Sequence, residues 1–141
     1  MIYVLDACVG FKWLVVEQDT DKARIFRDEY SQAIHELIAP DIYPVEVAHA
    51  LTRAERQKRI TPVEGTQLMI DMLNTLPQHF PSLPLLPRAY EISSTARIGV
   101  YDCLYVALAE QRGCKLVTTD SHLLTNLQGQ FPFIVSLSSL P

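Results

Sequence analysis

Four short runs constrain this chain more than anything else in it: "IYVL" (2–5), "LIAP" (37–40), "KLVTTD" (115–120) and "FIVSL" (133–137). Each contains consecutive apolar residues and shows no alternation with polar ones. A strand that is apolar on successive positions is buried on both of its faces. Between the runs lie stretches of helical length. Strands alternating with helices predict an α/β fold, a three-layer sandwich with a central, mostly parallel, twisted sheet and helices on both faces. In such sheets ligands bind beyond the carboxyl ends of the strands.

The helical stretches can be placed from their punctuation. "VGFKWLVVE" (9–17) predicts a short helix and "DTDKARIFRDEYSQAIHEL" (19–37) a longer amphipathic one. Pro44 suits the first turn of a helix continuing through 45–59, because its missing N–H is not needed there. Thr61, with Glu64 three residues on, reads as the N-cap of a helix reaching about Leu76. The segment 77–87 carries four prolines and predicts a loop with one short strand at Leu83 to Leu86. Helices are expected again at 88–99 and 99–113, the second of them apolar almost all round.

At 141 residues the chain is the size of one domain, and we expect a single domain over 1–141. Hydrophobic residues make up 48%, enough for a substantial core, and the net charge is −4. That balance argues against a protein that coats nucleic acid through charge alone, and leaves room for a local basic groove. The N-terminus lacks the basic start of a signal peptide, and no run is long enough to span a membrane. Cys8, Cys103 and Cys114 match no zinc spacing. A cytoplasmic protein with reduced thiols is expected.

Four acids interrupt apolar surroundings: Asp6, Glu46, Asp102 and Asp120. Asp6 and Asp120 end strands; Glu46 lies near the start of its helix, and Asp102, in the first turn of its own, reaches the same sheet edge if the loop before that helix lies there. Each also has a structural role available. Asp6 can end a strand, Glu46 can favour a helix N-terminus, Asp102 can cap one, and Asp120 can form a turn. Gathered at one edge they raise a different problem. Two carboxylates 4 Å apart repel by about 4 kcal/mol at an effective dielectric near 20. Protons or cations must offset this, and a hard divalent cation takes oxygen ligands. Acids holding Mg²⁺ or Mn²⁺ suit phosphoryl chemistry. No glycine-rich phosphate loop is present. Of the basic residues in "RAERQKR" (53–59), Arg53 lies two turns beyond Glu46 on the same helix face, placed to meet a substrate phosphate.

"YVLDAC", "PVEVAHAL", "VYDCLYVALAEQRGCKLVTTD" and the following "SHLL" resemble a PIN domain, and among these a stand-alone VapC-type toxin ribonuclease of a type II toxin–antitoxin system. The resemblance implies an Mg²⁺- or Mn²⁺-dependent endoribonuclease with Asp6, Glu46, Asp102 and Asp120 as its acids. A water activated by the metal would attack the phosphodiester and leave a 3′-hydroxyl and a 5′-phosphate. The resemblance also implies Thr119 as a supporting hydroxyl, a homodimer, and an antitoxin protein encoded nearby that blocks the site. Two residues after the first acid the family carries Ser, Thr or Asn; here stands Cys8, whose thiol is a weaker hydrogen-bonding group. Two other readings stand beside this one. A catalytically weak PIN module would bind RNA or a protein partner without cleaving. An aspartyl phosphatase would need a second acid two residues after Asp6, and "DAC" lacks it.

Overall fold

A computed structural model describes residues 1–141. In chain order the elements are β1 (Ile2–Leu5), α1 (Ala7–Leu14), α2 (Thr20–Ser31), β2 (Glu36–Pro40), α3 (Tyr43–Arg56), α4 (Pro62–Leu73) and β3 (Gln78–Phe80). They are followed by α5 (Leu86–Ala96), α6 (Val100–Arg112), β4 (Lys115–Thr118), α7 (Ser121–Leu127) and β5 (Ile134–Ser136). The sheet order is β3-β2-β1-β4-β5 and every pair is parallel. The expected parallel sheet is therefore parallel throughout. β1 lies at its centre, with Tyr3 beside Leu37 of β2 and Leu5 beside Val117 of β4.

The chain walks outward from β1 to β3, then returns across the sheet to β4 and β5. Right-handed crossovers put α1 to α4 on one face and α5 and α6 on the other. The packing agrees: α1 touches α2, α3 and α4, whereas α5 packs on α6 and α6 lies on β1, β2 and β4. This placement explains the apolar helix. Every residue from Cys103 to Ala109 is buried, between the sheet on one side and α5 on the other. No helix is long and apolar enough to cross a membrane.

α1 and α3 approach each other at a glycine. A methyl group at Gly10 would overlap the hydroxyl of Tyr43 and lie 2.9 Å from its Cζ. Tyr43 is itself fully buried at the start of α3. The absent side chain at Gly10 thus sets how closely the helix after β1 lies against the helix after β2.

Two local expectations change. The helix expected over 19–37 stops at Ser31, because Ala33 takes a left-handed conformation (φ 59°) and turns the chain into β2. The strand expected at Leu83 to Leu86 is instead a single 3₁₀ turn over Leu83–Leu85 with Pro84 in its first positions. Proline fixes φ and removes a ladder donor, so the turn wins there. The strand of that segment is β3, at the sheet edge, where a continuous apolar run is not required. The capping box at Thr61 and Glu64 forms in full, both reciprocal hydrogen bonds being present.

Candidate active site

Because all five strands point the same way, their carboxyl ends share one edge. Asp6 follows β1 there, its N–H bonded to the Val117 carbonyl of β4 (3.1 Å). Asp120 stands two residues past β4, Glu46 lies in the first turn of α3, and Asp102 in the first turn of α6. All four line one cavity of about 230 Å³. A larger cavity, about 730 Å³, sits against α2 and is lined largely by apolar side chains such as Tyr3, Ile25, Phe26 and Ile34. The acids do not gather there.

Asp6 is buried, and its surroundings are specific. Thr118 Oγ1 donates to Asp6 Oδ2 (2.7 Å) and accepts from the Asp120 N–H (2.9 Å). One hydroxyl therefore ties the first acid to the last across 112 positions of sequence. Thr118 is fully buried. Of the two threonines in "TTD", it is Thr118 whose side chain makes these bonds. Thr119 contributes its N–H, directed at Cys8 Sγ (3.4 Å). Cys8 Sγ also lies 3.6 Å from Thr118 Oγ1. With the Thr118 proton given to Asp6, the thiol is the donor in that contact. Burial first, then the neighbouring Asp6 charge, pushes the Cys8 pKa up to about 12, so Cys8 remains a protonated thiol at neutral pH.

Asp102 answers to no structural role as a cap. The N-cap of α6 is Gly99, and no side-chain cap hydrogen bond is made there. Asp120 does double duty: its Oδ1 accepts the His122 N–H (2.8 Å) and caps α7. Glu46 Oε1 is buried and has no hydrogen-bond partner. The Tyr105 hydroxyl, also buried and unpartnered, comes close enough to favour the charged Glu46 without completing a hydrogen bond of good geometry. Arg53 is exposed on α3, two turns beyond Glu46 and one beyond the cavity-lining Ala50. A fifth acid, Glu17, also lines the cavity. It follows the apolar "LVV" and carries no sequence signal that separates it from a surface charge.

The electrostatics follow from burial and crowding. Burial is the main cause raising the Asp6 pKa to about 6, with the charges of Glu46 and Asp120 adding to it and the Thr118 hydrogen bond opposing. Asp102 is also raised to about 6, by burial and then by Asp6 and Asp120. Glu46 shifts upward for the same first reason, with Asp102 contributing. An orphaned carboxylate oxygen, an all-oxygen donor set and acids held above their usual range fit a hard divalent cation. No three His, Cys, Asp or Glu side chains converge into a ready-made cage. The donor set therefore fits an ion that keeps several of its waters, as Mg²⁺ does.

A pH dependence follows for the metal-free protein. Folding raises the pKa of Asp6 and Asp102, so the folded state binds those protons more tightly than the unfolded chain. Their stabilisation is complete below the ordinary carboxylate range and is lost as pH rises through about 6. In EDTA the melting temperature of the parent, relative to that of Asp6→Asn, is expected to fall between about pH 4 and 6. Saturating Mn²⁺ should flatten that fall. Parallel curves for the two proteins in EDTA would contradict a crowded acid site.

Comparison with known proteins adds three findings. The PIN domain family matches residues 3–126. VapC ribonuclease Mb0985 of Mycobacterium bovis is 30% identical over 125 residues, covering 86% of this chain and 97% of its own. Two solved structures share the fold. PAE2754 from Pyrobaculum aerophilum has a TM-score of 0.69 at 20% identity, covering 99% of this chain and 94% of its own. VapBC2 from Rickettsia felis, bound to a DNA fragment from its promoter, has a TM-score of 0.64 at 13% identity over 96% and 97%.

Proposed function

Because the chain belongs to the PIN-domain family, we propose that it is a metal-dependent endoribonuclease acting as the toxin of a toxin–antitoxin pair, built as a single domain over 1–141. The observation that carries this reading is the gathering of Asp6, Glu46, Asp102 and Asp120 around one cavity at the carboxyl edge of the sheet. The relative named as a VapC ribonuclease supports the choice of RNA as substrate.

In this reading Asp6, Glu46, Asp102 and Asp120 hold Mg²⁺ or Mn²⁺. When bound, the cation supplies the positive charge that balances the carboxylates and the charge developing on a phosphodiester. The chain's own residues set the stage. Thr118 fixes the rotamer of Asp6 and the backbone of Asp120 with one hydroxyl. Cys8 stands where a hydroxyl or amide is usual and fills the position as a neutral, weakly polar group. Glu46 keeps a buried oxygen free of protein partners. Arg53, exposed along α3, meets a phosphate of the RNA as it leaves the acid edge. A homodimer and an inhibitory antitoxin encoded nearby belong to the proposal through the family. The exposed Leu83, Leu86 and Tyr90, three and four residues apart, supply an apolar face of the kind a second copy covers.

The test is cleavage of a single-stranded RNA by the purified protein with Mn²⁺, Mg²⁺ or EDTA, with the product ends mapped. Cleavage with either metal, lost in EDTA and leaving 5′-phosphates, is the expected result. RNA that is bound and left intact with both metals would instead favour the non-cleaving PIN module.

A further inference from the structure

Glu17 lines the acid cavity, yet its bonding differs from that of its neighbours. Its Oε1 accepts from Lys12 Nζ (2.9 Å) and its Oε2 from Arg59 Nη2 (3.1 Å). Both oxygens are taken by cations, whereas Glu46 keeps one oxygen free. Lys12 is buried, and its ammonium is also bonded to the Gln18 carbonyl (2.8 Å). Arg59 comes from the turn between α3 and α4, 42 positions from Glu17. Its guanidinium lies 5.9 Å from the ring centre of Phe11, another residue lining the cavity. Two cations against one carboxylate leave one positive charge in excess, fixed beside an otherwise acidic cavity.

We infer that Lys12, Glu17 and Arg59 form an RNA-phosphate dock at the rim of the acid cavity: Arg59 binds a backbone phosphate flanking the cleaved bond, and Glu17 is its positioning residue rather than a fifth metal ligand. The inference rests on the ribonuclease reading. A polyanion entering a cavity lined by carboxylates needs fixed positive charge close by. Arg59 satisfies that need chemically. Only one of its guanidinium N–H groups is committed to Glu17, and the planar fork matches a phosphate. The Glu17 bond and the Phe11 ring hold the side chain in place before RNA arrives, which reduces the ordering that binding must supply. Lys12, already buried and bonded twice, anchors Glu17 rather than reaching the substrate.

The experiment measures binding of a fluorescein-labelled single-stranded RNA in EDTA across a salt series, together with the melting shift caused by Mn²⁺. It compares the parent with Arg59→Gln, Arg59→Lys and Glu17→Gln. Arg59→Gln is expected to weaken binding about 10-fold, the usual size for a charged hydrogen bond. It should also lower the salt slope by about 0.7, the loss of one phosphate contact on a single strand. Arg59→Lys should recover part of the affinity and all of the slope. Glu17→Gln removes the charge that holds Arg59 in place, so RNA should bind more weakly with the parental salt slope, and the Mn²⁺ shift should be retained. A parent that cleaves RNA while Arg59→Gln binds it with parental affinity and slope overturns the dock and leaves the nuclease reading intact. Loss of the Mn²⁺ shift in Glu17→Gln makes Glu17 a metal ligand and overturns it equally. A parent that neither binds nor cleaves RNA removes both readings.

Discussion

Asp102→Asn is expected to reduce RNA cleavage at least about 100-fold, since even groups that merely orient a metal ligand cost about 10–100-fold when lost. The fold should survive. Asp102 makes no cap hydrogen bond in α6, where Gly99 holds the N-cap position. Losing a negative charge in a first helical turn costs about 0.3–1 kcal/mol. Against this, the substitution relieves repulsion with Asp6 and Asp120, the charges that help raise the pKa of Asp102. Melting in EDTA should therefore be unchanged or slightly higher. The stabilisation by Mn²⁺ should shrink, because an ion that binds only the folded state stabilises it by an amount that grows with the logarithm of its affinity. The measurement pairs melting curves, with EDTA and with Mn²⁺, with RNA cleavage on the same preparation. Cleavage at the parental rate would remove Asp102 from the site.

Of the five glycines, Gly10 is the one where an added methyl group, in Gly10→Ala, is expected to disrupt packing most. The new Cβ would overlap the Tyr43 hydroxyl and sit 2.9 Å from Cζ and 3.3 Å from Cε2. Overpacking of this kind costs about 1–3 kcal/mol, and a fully buried ring has little freedom to retreat. For a chain of this length a loss of about 3 kcal/mol lowers the melting temperature by about 10 °C. Tyr43→Phe in the same protein removes the worst overlap, so the double variant should recover most of the loss. Cleavage should fall along with stability in the single variant. α1 begins directly after Asp6 and α3 carries Glu46, so forcing the helices apart separates two of the acids. A Gly10→Ala protein with parental melting and cleavage would show that the helices part without cost.

The central strands were legible because burial on both faces puts apolar residues at consecutive positions. "IYVL" coincides with β1 for that reason, and "KLVTTD" contains β4 and runs two residues past it. The edge strand β3 was not, because half-exposed Gln78 to Phe80 carries no such run. Punctuation with a definite hydrogen-bonding consequence, such as Thr61 with Glu64, carried through. The acid edge was legible as well, since acids in apolar surroundings stand out. Its supports were harder to read. Choosing between Thr118 and Thr119 depends on where β4 ends: Thr118 is its last residue, fully buried against Asp6, and Thr119 lies beyond the strand. Glu17 depends on a contact with Arg59 between two turns far apart in sequence, which no local pattern encodes.

β1 is the first element made and β4 nearly the last, yet they lie side by side at the middle of the sheet. The Thr118 hydroxyl that clamps Asp6 joins the chain only after more than four-fifths of it has been synthesised. During translation, therefore, the growing polypeptide holds its first two acids without the two that complete the set. An amino-terminal fragment that ends before Asp102, whether a stalled nascent chain or a product of proteolysis, lacks two of the four acids and, on the proposed reading, the means to cut RNA. For an enzyme whose substrate surrounds it from the moment of its birth on the ribosome, this order of assembly delays danger until the chain is almost finished.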